Sequence, residues 1–368
     1  MNALLTEAEC PRAASRRDIA VVLFGTGNVG GAFLQLLRTP AGESLRLVGA
    51  ANSRHQQTQP EALAERRLRD RLDAAGEARD DTVLLRALNA NGGLRKVIVD
   101  ATASAELAAR HPEWLARGCH VVTANKALAG GELCGWRALR AGRARGSDYG
   151  DSATVGAGLP ALATLRRLHA CGDRVTRIEG VFSGSLSYLF NHYDGRQPFS
   201  TLLREACALG YTEPDPRADL SGEDVARKLL ILARAAGFPL ERAQVEVESL
   251  VPESLHDVAG PDLLDRLDLL DDVLAAKQAA AAARGHLLRH LARFDADDGA
   301  RVGLAEVPAT HPAAHLLGAD NLFAFTTSRY RQRPLVIQGA GAGPEVTAQA
   351  LLGDILALRQ NLSCHGNP

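Results

Sequence analysis

Ile19-Ala20-Val21-Val22-Leu23-Phe24-Gly25-Thr26-Gly27-Asn28-Val29-Gly30 is the stretch from which the fold is read. Six apolar residues run into a Gly-x-Gly-x-x-Gly spacing, and a helix-like stretch from Gly31 to Leu37 follows, so the segment reads as strand, tight turn and helix. Gly25 allows the turn, Gly27 lets the backbone approach a pyrophosphate, and Gly30 permits close helix packing, with Thr26, Asn28 and Val29 completing the loop. The N-terminus of the helix offers amide donors and a positive dipole end to phosphates. Working outward, Leu45 to Ala50, Val97 to Asp100 and Val121 to Thr123 read as further buried strands with helical segments between them. This alternation predicts an α/β, Rossmann-type doubly wound parallel sheet across residues 18–150. After about residue 150 the character shifts to longer helices and a few strands, among them Ile178 to Phe182, and Leu263 to Ala283 reads as helix. An apolar strand, the turn Gly339-Ala340-Gly341-Ala342-Gly343 and a closing helix (334–361) read as a return to the first domain.

Composition narrows the function. The 368 residues are 46% apolar and 23% charged, which suits a folded protein of two domains better than a disordered or membrane chain. A formal net charge of −1 gives no reason to expect nucleic acid or an anionic membrane as a partner, so a small-molecule partner is expected. No apolar run reaches the roughly 18–20 residues of a spanning helix, and residues 1–17 read as a loose polar tail without a signal-peptide layout; a cytoplasmic protein is expected. Cys10, Cys119, Cys134, Cys171, Cys207 and Cys364 are scattered without a CxxC pair, so they read as reduced thiols rather than zinc ligands or a disulfide framework.

Two further stretches bear on chemistry. The second strand ends Ala51-Asn52-Ser53-Arg54, with no acid to hold ribose hydroxyls. Arg54 is placed to accept a 2′-phosphate, which favours NADP with NAD as the other candidate, although an exposed arginine in an arginine-rich chain reads equally simply. Lysine is rare, occurring only as Lys96, Lys126, Lys228 and Lys277. One of the four ends the acidic segment from Gly210 to Lys228, whose Pro214 and Pro216 impose an extended loop before a helix expected from about Ser221 to Ala236. On that helix Glu223, Arg227 and Arg234 share a solvent side, whereas Asp224 and Lys228 fall within the apolar arc. Such an i, i+4 pair can be a surface ion pair, or it can line a cleft that admits polar substrate. In a cleft Lys228 is a candidate acid/base, because oxidising an alcohol by hydride loss also requires the hydroxyl proton to leave. Glu213, Asp219 and Asp224 suit a substrate ammonium group, and Asp219 or Ser221 suits a helix N-cap equally well.

From Asp18 to about Leu358 the chain resembles homoserine dehydrogenase, in particular the dehydrogenase half of the bifunctional aspartokinase/homoserine dehydrogenases, with neither the kinase nor a C-terminal regulatory module expected. The resemblance is carried by Gly25 to Gly30, Thr123-Ala124-Asn125-Lys126, Thr154-Val155-Gly156-Ala157-Gly158-Leu159-Pro160, Gly180 to Tyr188, Gly210 to Lys228 and Gly341-Ala342-Gly343. It implies NAD(P)-dependent interconversion of L-homoserine and L-aspartate 4-semialdehyde, towards threonine and methionine, with Lys228 as proton donor. Lys126 and Asp224 join Lys228 in the implied catalytic set. Gly210, Glu213, Asp219 and Asp224 are the substrate positions, and Thr102, Lys126 and Gly343 the cofactor contacts. A sodium ion is implied on the carbonyls of Val155, Ala157 and Leu159, with Ser152 standing at the family's acidic-ligand position and Asp151 one residue earlier. The implied architecture places an α+β substrate-binding and dimerisation domain with a mixed sheet at 151–333, and a homodimer formed through that sheet. The alternatives are a catalytically silent dinucleotide-binding protein and an oxidoreductase resembling aspartate-semialdehyde dehydrogenase, whose chemistry needs a nucleophilic cysteine.

Overall fold

The computed structural model describes residues 18–64, 67–143 and 146–363; the tail 1–17, with Cys10, and Cys364 lie outside them. The opening stretch forms β1 (Ile19–Phe24), every residue of it buried. It lies between β2 (Leu45–Ala51) and β5 (Arg95–Asp100), both parallel to it. The sheet continues through β3 (His55–Gln57) and β4 (Glu77–Ala78) on one side and through β6 (His120–Thr123) and β7 (Tyr149–Gly150) on the other, in the order β4-β3-β2-β1-β5-β6-β7. The sheet is parallel where the sequence predicts it; the short β3 and β4 add an antiparallel edge. Register brings Phe24 level with Ala51 and Asp100, and Asp100 level with Thr123. The loops after β1, β2, β5 and β6 therefore leave one edge of the sheet, and the strand order reverses beside β1, which is where such sheets bind ligands.

The second half holds more strands than the sequence suggested. β8 (Val175–Val181), β9 (Val245–Val247), β10 (His286–Asp295), β11 (Gly299–Pro308), β12 (Asp320–Thr327) and β13 (Leu335–Ala340) form a sheet ordered β13-β12-β8-β10-β11-β9. Its β9–β11 pair is parallel and its other pairs antiparallel, so the sheet is mixed as expected. The 263–283 segment is helical but divided, a 3-10 stretch Leu264–Leu270 preceding the α-helix Asp271–Ala283.

The chain's return to the first sheet is made by the helix alone. In the closing helix, Pro344–Ser363, residues Ala348, Leu351, Leu352, Ile355 and Leu358 recur at helical spacing and join the core of β1 and the helix Asn28–Leu36. The strand before it pairs with β12, from Asp320 opposite Ala340 to Phe325 opposite Leu335, and so belongs to the second sheet. Its exposure alternates: Leu335 and Ile337 face the core while Val336 and Gln338 face outward, the pattern of a half-covered edge strand rather than of a strand buried on both faces.

His290 on β10 is 2% exposed and its Nε2 has no hydrogen-bond partner. Burial holds its pKa down at about 4, against 6.5 for the free side chain. Between these values the unfolded chain binds a proton that the folded chain does not, so stability falls as pH drops from about 6.5 to 4, by on the order of 3 kcal/mol. His290→Phe is expected to flatten this limb, which urea unfolding at pH 7 and pH 5 would measure; an unchanged pH slope in the variant would assign the acid sensitivity to other groups.

Candidate active site

Gly25 has φ +90°, and a Cβ there would lie 2.8 Å from the Ala101 carbonyl oxygen. At Gly30 a Cβ would stand 1.8 Å from the Gly25 carbonyl oxygen, so the helix packs on the turn only because both residues are glycine. Gly27 differs, since a Cβ would meet nothing within 4 Å. It is the N-cap of the helix Asn28–Leu36 and supplies no side-chain cap. Open space and uncapped amides at a helix N-terminus fit a pyrophosphate, the ligand expected of this turn. A cavity of about 370 Å³ adjoins it, lined by Gly27 and Asn28 and by Pro344 and Glu345, which puts the Gly343 turn (φ +124°) beside the motif. At the end of β2 the Asn52 side chain accepts from the amides of Arg54 and His55, fixing a tight turn from which Arg54 projects exposed.

The sequence reading missed the group that organises the next two loops. Asp100, fully buried at the end of β5, accepts from the amide and hydroxyl of Thr102, from Asn125 Nδ2 (3.0 Å) and from His111 Nε2 (3.0 Å). The other ring nitrogen of His111 meets the hydroxyl of Tyr149 at 3.2 Å, and burial raises the Tyr149 pKa well above 10, so the phenol stays protonated. Asn125 also donates to the Ser104 carbonyl and accepts from the Ala127 amide. One carboxylate thereby ties the Thr102 loop to the Asn125-Lys126 loop.

Lys126 points from that loop to the second half of the chain, its Nζ 3.5 Å from Asp224 Oδ1. Asp224 Oδ2 is 2.7 Å from Lys228 Nζ, which also donates to the Phe182 carbonyl oxygen at 2.8 Å. The Lys228 side chain is 13% exposed and that of Asp224 45%, so the pair borders solvent rather than lying wholly within the apolar arc. Desolvation pushes the Asp224 pKa up, but the two ammonium groups outweigh it and hold the carboxyl at about 2. Asp224 therefore stays ionised down to about pH 2. The helix Glu223–Ala235 starts on Gly222 (φ +74°), not on Asp219 or Ser221. A left-handed cap residue turns the chain sharply out of the short helix Arg217–Leu220, and glycine adopts that conformation without penalty.

Asp219 accepts instead from the Ser185 hydroxyl (2.7 Å) and the Glu213 amide (2.8 Å), pinning the Glu213 loop to the helix Gly184–His192. Glu213 and Gly210 are exposed, and Tyr211 stacks on Tyr188 with ring centroids 4.0 Å apart. Arg234 was expected on the solvent side with Glu223 and Arg227 but is 1% exposed. The end of its helix runs under the 129–131 loop, where the guanidinium donates to the carbonyls of Ala129, Gly131 and Leu240, partners that no helical wheel displays. The backbone at Val155, Ala157 and Leu159 includes the left-handed Ala157 (φ +50°). The acidic ligand does not fit: the Ser152 hydroxyl donates to Asp354, and Asp151 is paired with Arg166. No metal-sized cluster of His, Cys, Asp and Glu occurs among the described residues.

Known proteins resemble the chain over nearly its whole length. The family described as homoserine dehydrogenase matches residues 160–356, and that described as homoserine dehydrogenase, NAD binding domain, matches residues 25–146. A maize chloroplastic bifunctional aspartokinase/homoserine dehydrogenase 2 is 39% identical over 98% of the chain, which spans 42% of that longer protein. The homoserine dehydrogenase of Schizosaccharomyces pombe is 36% identical over 96% of the chain and 99% of its own length. Among solved structures, a putative homoserine dehydrogenase from Archaeoglobus fulgidus superimposes with a TM-score of 0.73 at 27% identity, covering 92% of this chain and 99% of the other.

Proposed function

The chain belongs to the homoserine dehydrogenase family, and from that premise we propose that it interconverts L-homoserine and L-aspartate 4-semialdehyde with a nicotinamide dinucleotide, in the direction of threonine and methionine. The observation that carries the reading is the Lys126–Asp224–Lys228 arrangement, which joins the loop after β6 to the helix Glu223–Ala235. When bound, the nicotinamide takes the hydride in one direction and returns it in the other. Lys228 handles the accompanying proton: as a neutral amine it accepts the proton of the homoserine hydroxyl, and as ammonium it donates one to the aldehyde oxygen. Asp224 and the Phe182 carbonyl hold its Nζ in place. Glu213 is the carboxylate left exposed for the substrate ammonium; Asp219 shapes its loop and Gly210 leads into it. Residues 18–150 with the closing helix form the dinucleotide-binding domain, in which Gly25 to Gly30, Thr102, Lys126 and Gly343 serve the cofactor. The domain from 151 onward takes the substrate and pairs with a second copy through its sheet. No helix among the described residues is long and apolar enough to cross a membrane. The site of action we propose is the cytoplasm. The carbonyls of Val155, Ala157 and Leu159 are the candidate sodium ligands, and no step depends on the ion.

The test is reduction of NADP⁺ or NAD⁺ followed at the reduced-nicotinamide absorbance band with L-homoserine. Turnover that requires homoserine supports the reading; a folded protein that binds dinucleotide yet reduces neither cofactor would sink it. We assign Arg54 to the 2′-phosphate, which makes NADP the preferred cofactor. A charge-assisted hydrogen bond is worth about 1.5–3 kcal/mol, so Arg54→Ala is expected to weaken NADP⁺ binding by roughly 10–100-fold and to leave NAD⁺ binding as it was. Titrating both dinucleotides against the variant decides it, since equal losses would remove Arg54 from phosphate recognition.

A further inference from the structure

A cavity of about 290 Å³ lies where the two halves of the chain meet, and neither Lys228, Asp224 nor the glycine turn lines it. One wall is the helix Leu133–Arg143, which contributes Trp136, Arg140 and Arg143; the other is formed by Arg166 and His169 of the helix Ala161–Ala170 and by Arg234. Four arginines thus line one space whose single lining carboxylate, Asp151, is occupied by Arg166. In a chain with a net charge of −1 this is a strong local excess of positive charge. Some arginines elsewhere are matched by acids, as Arg79 is by Asp81, Arg217 by Asp215 and Arg284 by Glu306, while others such as Arg204 and Arg289 spend their donors on backbone carbonyls. Arg140 and Arg143 have no carboxylate partner among the described residues, and Arg140 instead lies 5.1 Å over the ring of Trp136. Arg234 spends its donors on backbone carbonyls, and the Glu241 carboxylate near it offsets part of its charge, so the charge open to a ligand is chiefly that of Arg140 and Arg143.

We propose that this cavity binds a small, multiply charged oxyanion, with phosphate and dicarboxylate as the two sources of that chemistry. The volume admits such an anion together with its hydrogen-bonding water, and the fork-shaped guanidinium groups match oxyanion geometry. The walls come from both halves of the chain, so an anion between them replaces mutual repulsion of the arginines with attraction to a shared partner and holds the halves together. Arg234 shares its helix with Lys228, which connects the cavity to the catalytic segment.

Thermal unfolding tests the proposal, with the full chain saturated with NADP⁺ so that the phosphate subsites of the dinucleotide turn are filled. Inorganic phosphate, succinate and chloride are compared at equal ionic strength. Preferential binding to the folded state raises Tm with a saturable dependence on ligand. The expected result is a saturable rise with phosphate, succinate or both that chloride does not reproduce, lost in Arg140→Glu/Arg143→Glu. Which anion acts identifies the source. The charge-neutral pair Arg140→Gln/Arg143→Gln, checked for native circular dichroism, repeats the test should the acidic pair fail to fold. A rise that chloride matches, no rise at all, or a rise undiminished in the folded variants overturns the proposal. The readout is binding, so it stands apart from homoserine turnover.

Discussion

Replacing Lys228 with alanine is expected to lower kcat for homoserine oxidation by about 10²–10⁴-fold, the range contributed by a positioned acid/base, while dinucleotide affinity is unchanged. The expectation rests on where the amine stands. Its Nζ meets the Phe182 carbonyl and Asp224, and it lies on the helix Glu223–Ala235 rather than on any loop assigned to the phosphates. A lysine kept only to neutralise Asp224 would behave otherwise: its loss would cost stability and leave turnover largely intact, because Lys126 still faces the same carboxylate. Lys228→Arg separates the two roles. Guanidinium preserves the charge but does not give up its proton near neutrality, so it is expected to restore stability without restoring kcat. Steady-state kinetics beside a dinucleotide titration and a melting curve for each variant provides the check. Equal activity in Lys228→Arg and the parent would remove the proton-transfer role.

Asp100→Ala is expected to be the most destabilising of these substitutions, and it acts without touching substrate. Its carboxylate serves the nitrogen donors of His111 and Asn125, which are 0% and 2% exposed, besides the two donors of Thr102. A buried donor left without an acceptor costs about 1–3 kcal/mol, so losing the acceptor of His111 and one of the two acceptors of Asn125 costs about 2–6 kcal/mol, a large part of a total stability of roughly 5–15 kcal/mol. The loops holding Thr102 and Lys126 would also lose their common anchor, so protein that does fold is expected to bind dinucleotide more weakly. Asp100→Asn retains the shape and one acceptor oxygen, and a smaller loss is expected. Urea unfolding of the two variants measures the difference; parental stability in Asp100→Ala would show that the network is satisfied in another way.

The parts of the fold that were legible in the sequence share a physical reason. β1, β2, β5 and β6 are short apolar runs because a parallel strand covered on both faces has no polar side, and the glycine spacing between β1 and its helix is demanded by contacts as close as the one at Gly30. Lys228 and Asp224 stood out because a charged pair between apolar neighbours on a helix is unusual, and the structure places the two side chains 2.7 Å apart. What was missed depends on partners distant in the chain. Leu335 to Ala340 reads as a strand in any sheet, and only β12 decides which. The wheel that put Arg234 with Glu223 and Arg227 knows nothing of the carbonyls of Ala129 and Gly131, about a hundred residues earlier. Asp100 looked like the polar end of a strand, and its role emerges once Thr102, His111 and Asn125 surround it. The hairpin of β10 and β11 carried a turn signal at Asp297-Asp298-Gly299, but the two arginines and two histidines along β10 obscured its alternation.

Hydride transfer itself is tested most directly with L-homoserine carrying two deuterium atoms on the hydroxyl-bearing carbon. Incubation with the purified protein and NADP⁺ or NAD⁺, followed by mass measurement of both products, is predicted to find one deuterium in the reduced nicotinamide and one in the aldehyde. Reduced cofactor without deuterium, or no reduction in a folded protein that binds the dinucleotide, would contradict the proposed homoserine dehydrogenase activity while leaving the family membership as it stands.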